Sequence, residues 1–197
     1  MKNKVVPFKG SGHLPIALLQ RLKESGKKYG LEAIYPISPD DIVVAEWVNL
    51  KCRYGCVRYN QSWCCPPATP SPDKVRQILS EYSEALLLQY VHQLPEFYRD
   101  EKQKRQGMVR AWKGTVALER IIFLEGYHKA FSLIGENCAL CKDCAYPENC
   151  LFPQEKRPSV VSFSIDVVGT LHRQGITPHV ATDVSEDFTY YAIMLIS

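Results

Sequence analysis

The pattern of apolar and polar positions predicts helices separated by single strands along most of the chain. Apolar residues at helical spacing follow Pro15 and stop at Gly30, which predicts a first helix between them. A second helix should begin at Ser71-Pro72, because serine caps helix N-termini and proline fits the first turn.

Shorter apolar stretches predict the strands. Residues 34–37 and 42–48 should form two strands on either side of a Ser-Pro-Asp-Asp turn. The runs 85–91 and 188–196 are continuously apolar, which is typical of strands buried on both faces.

The second half of the chain alternates charged and apolar segments. Residues 93–113 carry many basic side chains diluted by acidic ones, which favours a solvated helix over a nucleic-acid patch. A buried helix should span 115–135, and another should open at Pro158-Ser159 and close near Gly175.

These elements indicate an α/β class, with α+β as the alternative, built as a small layered sheet with helices and two cysteine-rich metal loops. We expect one domain over residues 1–197, with a loose stretch at 1–12.

Composition excludes several classes of protein. The 197 residues are 46% hydrophobic, which excludes a disordered chain, and the net charge of +3 is too small to indicate nucleic-acid or membrane partners. No stretch of 18 apolar residues and no secretory signal is visible, so we expect a cytoplasmic protein.

The unusual feature is cysteine. Eight cysteines fall into two groups, one within 52–65 and one within 138–150. Structural disulfides are rare in the reducing cytoplasm, so clustered cysteines there indicate metal ligands or redox thiols.

The second group has the spacing C-x2-C-x2-C-x5-C, formed by Cys138, Cys141, Cys144 and Cys150. Bacterial iron–sulfur sites use C-x2-C-x2-C-x3-C-P, and the first three cysteines keep that register. A single zinc ion draws four sulfurs to about 2.3 Å from one point and usually takes two C-x-x-C pairs from distant segments. The spacing therefore favours a [4Fe–4S] cluster over zinc.

The first group consists of Cys52, Cys56, Cys64 and Cys65. Gly55 should permit a tight turn that brings Cys56 back toward Cys52. Pro66 should hold Cys65 in extended chain, where neighbouring side chains point in opposite directions, so Cys64 should face away from the other three.

Three converging thiols then leave Cys64 as a spare or weak ligand, with a fourth-ligand role as the alternative. A third arrangement joins Cys52 and Cys56 with Cys138 and Cys141 around one zinc ion.

The combined motifs resemble a known family. They are Cys52-x3-Cys56, Trp63-Cys64-Cys65-Pro66-Pro67, the segment 118–131, Cys138-x2-Cys141-x2-Cys144 with Cys150, and Arg157-Pro158-Ser159 with Ile165-Asp166-Val167 and Gly175 downstream. In this order they are similar to the cysteine-rich predicted metal-binding proteins called domain of unknown function 2284. The resemblance implies that Cys65 is the family's ligand and that Cys64 is an addition.

We therefore predict an iron–sulfur protein with two [4Fe–4S] centres that exchanges electrons with a redox partner protein. The alternatives are a zinc-binding structural or interaction module and an enzyme whose first cluster keeps an open iron position. Trp63 and Tyr54 are candidates to wall that first site, with burial in the core as the other role for them.

Overall fold

The computed structural model describes residues 13–92, 101–183 and 186–197. The expected loose stretch 1–12 and the first part of the charged segment, 93–100, lie outside the described residues.

Five α-helices and four strands occur in the described ranges. In chain order they are α1 (Ile16–Lys27), β1 (Leu31–Ile37), α2 (Glu46–Gly55), α3 (Pro72–Leu79), β2 (Glu84–His92), α4 (Glu101–Leu124), β3 (Phe131–Leu133), α5 (Val167–Arg173) and β4 (Phe188–Ile196). Two single 3-10 turns lie at Pro39–Asp41 and Val161–Phe163.

The strands form one antiparallel sheet in the order β1-β2-β4-β3. Successive side chains of β2 point to opposite faces of the sheet. Leu86 and Leu88 pack with α1 and α4 on one face, and Ala85 and Leu87 pack with α3 and α5 on the other. Because helices cover both faces, β2 and β4 are apolar almost throughout. The mixed α/β class is confirmed, with antiparallel pairing.

Four elements confirm predictions made from local signals. α1 ends before Gly30, whose φ of 88° suits glycine, and α3 begins as expected with the Lys74 backbone N–H donating to Ser71 Oγ at 3.4 Å. β2 and β4 cover the two continuous apolar runs.

The predicted strand 42–48 is wrong. Val44 forms an isolated bridge with Ile165, and α2 begins two residues later at Glu46. Val44 pairs with a single residue of the neighbouring segment, so the backbone hydrogen bonds of a strand pair do not form there.

The predicted helix 115–135 is also wrong in its second half. α4 ends at Leu124, and Gly126 with φ of 103° turns the chain back into β3, which pairs with β4. The charged segment 101–113 does form helix, as the first half of α4.

The helix predicted from Pro158 begins late. A single 3-10 turn at Val161–Phe163 ends at Ser164, which has φ of 57°. α5 then starts after Asp166, whose side chain accepts from the Gly169 N–H at 2.9 Å, and it ends before Gly175 as expected.

The helices of the described part of the chain are too short or too polar to cross a membrane.

Candidate metal centres

The two cysteine groups lie next to each other in the fold, and Cys64 lies with the downstream group. Three thiols, those of Cys52, Cys56 and Cys65, line one cavity. The other five line a second cavity, and they are Cys64, Cys138, Cys141, Cys144 and Cys150. None of the eight forms a disulfide.

Helical spacing brings Cys52 and Cys56 together. Cys52 lies in the last turn of α2 and Cys56 is its C-cap, so the two are four residues apart on one side of the helix. The helix runs through Gly55, so the predicted glycine turn is wrong. Together with Cys65 they line a cavity of about 350 Å³.

Cys64 and Cys65 separate because they lie in a turn. The Cys65 N–H donates to the Ser62 carbonyl at 3.1 Å, and the Cys64 N–H donates to Ser62 Oγ at 3.2 Å. The divergence of the two side chains is confirmed, but a turn produces it instead of extended chain. Cys64 is buried against Trp112, Ile134 and Leu140, and this packing holds its side chain on the side of the second group.

The second set surrounds a small space. Its five thiols line a cavity of about 20 Å³ together with Arg58 and Lys156. Cys64 is almost fully buried, whereas Cys144 is exposed. The five thiols therefore extend from the core of the protein, at Cys64, to its surface, at Cys144.

Side-chain donors from other elements hold the loop that carries this set. From α4, Arg105 Nε donates to the Ala139 carbonyl at 3.1 Å and Trp112 Nε1 donates to the Glu155 carbonyl at 2.8 Å. From the segment before Cys64, Trp63 Nε1 donates to the Glu148 carbonyl at 2.7 Å. These bonds satisfy loop carbonyls that lack secondary-structure partners, and they help to fix the path of the loop.

The thiols of Cys64 and Cys138 shift each other's pKa in opposite directions. The Cys64 thiol donates to Cys138, and this bond, opposed by burial, lowers the pKa of Cys138 to about 7. The same bond, with burial, raises the pKa of Cys64. Cys138 is therefore the thiol of this pair that is closer to its metal-binding, deprotonated form.

In the first set, burial opposes deprotonation. It raises the pKa of Cys65 to about 11, with the neighbouring Cys56 adding to the effect and Arg58 reducing it. Burial also raises the pKa of Cys52. Metal binding would have to supply the free energy that removes these protons.

The donor chemistry of both sets fits thiophilic metals. Among the described residues, neither cavity is lined by a histidine or a carboxylate, and soft thiolates select zinc, copper(I) or iron–sulfur clusters. No three histidine, cysteine or acidic side chains of the described ranges converge closely enough for a single ion. The first cavity, at about 350 Å³, is much larger than the second, at about 20 Å³.

Sequence reasoning placed two aromatic residues wrongly, and it did not find the roles of Arg58 and Trp112. Trp63 lines the second cavity instead of the first, and Tyr54 is 78% exposed to solvent. Arg58 lines the second cavity and donates to the Cys138 carbonyl at 3.3 Å. Trp112, fully buried beneath Cys64, gave no signal beyond its size.

Comparison with known proteins gives one match. The model of a family described as predicted metal-binding protein (DUF2284) matches residues 35–196. The matched range includes all eight cysteines. No curated protein and no solved structure matches the chain.

Proposed function

We propose that this chain, which belongs to the DUF2284 family of predicted metal-binding proteins, is an iron–sulfur protein that holds two separate centres and transfers electrons. Cys52, Cys56 and Cys65 are the cysteine ligands of the first. The second takes Cys138, Cys141, Cys144 and Cys150, with Cys64 donating a hydrogen bond to Cys138.

One observation carries the proposal: consecutive cysteines, Cys64 and Cys65, point into different cavities, and each lies with thiols of its own set. Consecutive Cα atoms are 3.8 Å apart, so two centres that meet at this dipeptide are close neighbours. A short separation allows electrons to pass between the two centres.

The surrounding charges support redox chemistry. Clusters with thiolate ligands are anionic, and bound clusters would supply one-electron chemistry at potentials set by charge, hydrogen bonds to sulfur and exposure. Lys51 lies at the first cavity, and Arg58 and Lys156 lie at the second. These cations favour the more negative, reduced form.

The exposed side of each centre suits a partner. Cys144 is exposed, and Cys52 and Cys56 are partly exposed. We propose a redox partner protein that approaches here, in the reducing cytoplasm, where thiols stay free for metal.

Cysteine variants test the proposal in anaerobically purified protein. Cys65→Ser should lose the first centre and Cys141→Ser the second, each retaining about half of the iron and the paramagnetic resonance signal of the remaining centre. Cys64→Ser is the matched control, because it changes the neighbouring thiol but should retain both centres. Loss of all metal from any one change would contradict two separate centres.

A second candidate function is a zinc-binding structural module. The small volume of the second cavity, about 20 Å³, favours it there, because one ion needs less space than a cluster. Zinc in place of iron in the same preparations would establish this alternative.

A further inference from the structure

One side of α2 exposes a stripe of large apolar side chains. Trp47, Leu50 and Tyr54 are three and four residues apart, so they lie on one side of the helix over about 10 Å of its length. They are 45%, 56% and 78% exposed, and Val57, just after the helix, is 93% exposed. Exposure rises toward the C-terminal end of α2, so the side chains there project into solvent.

A neighbouring segment widens this apolar surface. Val161 and Val168 are exposed, and both line the cavity that Trp47 also lines. Half of the large apolar side chains that are exposed in the described ranges therefore lie here. We call this surface the α2 face, and its residues are Trp47, Leu50, Tyr54, Val57, Val161 and Val168. Exposed apolar side chains gathered at one place mark an interaction site.

The charge of the α2 face is positive. Residues 47–72 contain no aspartate or glutamate, and their cationic side chains are Lys51, Arg53 and Arg58. The one acidic residue of α2 is Glu46, whose carboxylate lies 3.5 Å from Arg76 Nη1. The net charge of +3 gave no sign of this surface, because acidic residues elsewhere balance the total. The chemistry of the α2 face therefore suits an anionic partner.

The aromatic and cationic side chains of α2 lie beside each other. Lys51 Nζ is 4.8 Å from the centre of the Trp47 ring, and the Arg53 guanidinium carbon is 5.6 Å from the centre of the Tyr54 ring. Tryptophan and tyrosine favour the boundary between lipid and water, and lysine and arginine beside them meet anionic headgroups. A rigid protein partner would need a pocket for each projecting side chain, whereas lipids rearrange around them.

We propose that the α2 face binds an anionic membrane surface, with its apolar side chains among the lipid headgroups and Lys51 and Arg53 at the level of the phosphates. Binding of this kind lies in the plane of the interface and needs no helix that crosses the bilayer. It goes beyond the proposed function and does not depend on it, since no cysteine or metal takes part in the contact.

Sedimentation with lipid vesicles tests the proposal. The full chain, purified anaerobically, is mixed with vesicles of phosphatidylcholine, either alone or with about 30% phosphatidylserine. It should bind the anionic vesicles at least tenfold more strongly than the neutral ones. Binding should weaken when the salt is raised to about 1 M, because the Debye length then falls to about 3 Å.

Matched variants on two helices locate the contact. Leu50→Ser should weaken binding about fivefold, the equivalent of about 1 kcal/mol for the exposed half of a leucine, and Leu124→Ser, at a leucine 51% exposed on α4, should not. Arg53→Gln should also weaken binding about fivefold, whereas Arg120→Gln on α4 should leave it unchanged. All four side chains are exposed, so metal content and thermal stability should stay the same and separate lost binding from lost fold.

Three results would overturn this inference. Folded protein that stays in solution with the anionic vesicles at low salt would assign the α2 face to a protein partner instead. Equal losses in Leu50→Ser and Leu124→Ser would show that the contact is elsewhere. Binding that depends on Arg53 but not on Leu50 would show adsorption by charge alone, without the apolar stripe.

Discussion

Arg157 and Glu119 form a buried ion pair that ties the second cysteine loop to α4. Glu119 lies on α4 and is 8% exposed, and its carboxylate accepts from Arg157 Nε at 2.9 Å and from the Ser132 N–H at 2.8 Å. Arg157 Nη1 also donates to the Lys156 carbonyl at 2.8 Å. Replacing Arg157 with methionine removes the cation and leaves a buried carboxylate with one donor.

The size of the loss follows from burial. Breaking a buried pair by removing one partner costs about 3–5 kcal/mol, because the remaining charge is uncompensated. The side chains of Arg157 and Glu119 are 16% and 11% exposed and border a surface cavity, so water reaches part of the pair. We therefore expect Arg157→Met to lower the free energy of unfolding by about 3 kcal/mol, the lower end of that range.

Urea unfolding under anaerobic, reducing conditions measures the loss. With a denaturant slope of about 2 kcal/mol per molar, the midpoint should fall by about 1.5 M. Glu119→Gln should lose less, since its amide oxygen can still accept from Ser132, and the double variant should lose at least about 1 kcal/mol less than the sum of the two. Arg76→Met is the control, because the pair with Asp73 is exposed and should cost under about 1 kcal/mol.

A loss below about 1 kcal/mol in Arg157→Met, or strict additivity in the double variant, would refute the interpretation of this pair as a buried, coupled unit.

Three further predictions concern a thiol, a glycine and a histidine. Cys64→Ala should lower the reduction potential of the second centre by about 40–50 mV in a redox titration, since it removes one net hydrogen bond of about 1 kcal/mol to a ligand sulfur; Cys64→Ser should change it less. Gly135→Ala should reduce stability by about 1–3 kcal/mol, because a Cβ there would lie 2.5 Å from a ring carbon of Tyr190, whereas Gly55→Ala meets open space and should cost nothing in a thermal melt. Burial lowers the pKa of His92 from 6.5 to about 4, so the unfolded chain binds more protons between these values. Stability should be complete above pH 6.5 and fall toward pH 4, and urea midpoints of His92→Phe should lack that part of the fall.

The fold could be predicted where its signals are local. Ser71 with Pro72 starts α3, and the long apolar runs become β2 and β4. β3 could not be predicted, because its three residues continue an apolar stretch and become a strand only by pairing with β4. The start of α2 could not be predicted for a similar reason. The apolar residues around Val44 resemble a strand in sequence, but they form only an isolated bridge before the helix begins.

In the candidate site, too, the features set by local sequence could be predicted, and those set by distant contacts could not. The cavities repeat the grouping expected from the sequence, since Cys52, Cys56 and Cys65 line one cavity and the four downstream cysteines line the other. The position of Cys64 depends on Trp112 and Leu140, which pack against it from segments distant in sequence. The adjacent pair Cys64-Cys65 was the available signal, because a turn can direct two neighbouring thiols to different sites.

The metal content of the native protein tests the central claim most directly. Iron, acid-labile sulfide and zinc are measured in anaerobically purified protein, together with the paramagnetic resonance spectrum after reduction. Two [4Fe–4S] centres predict about eight irons and about eight sulfides per chain, with interacting signals because the centres meet at Cys64 and Cys65. A colourless protein with one or two zinc ions and no sulfide would contradict the account.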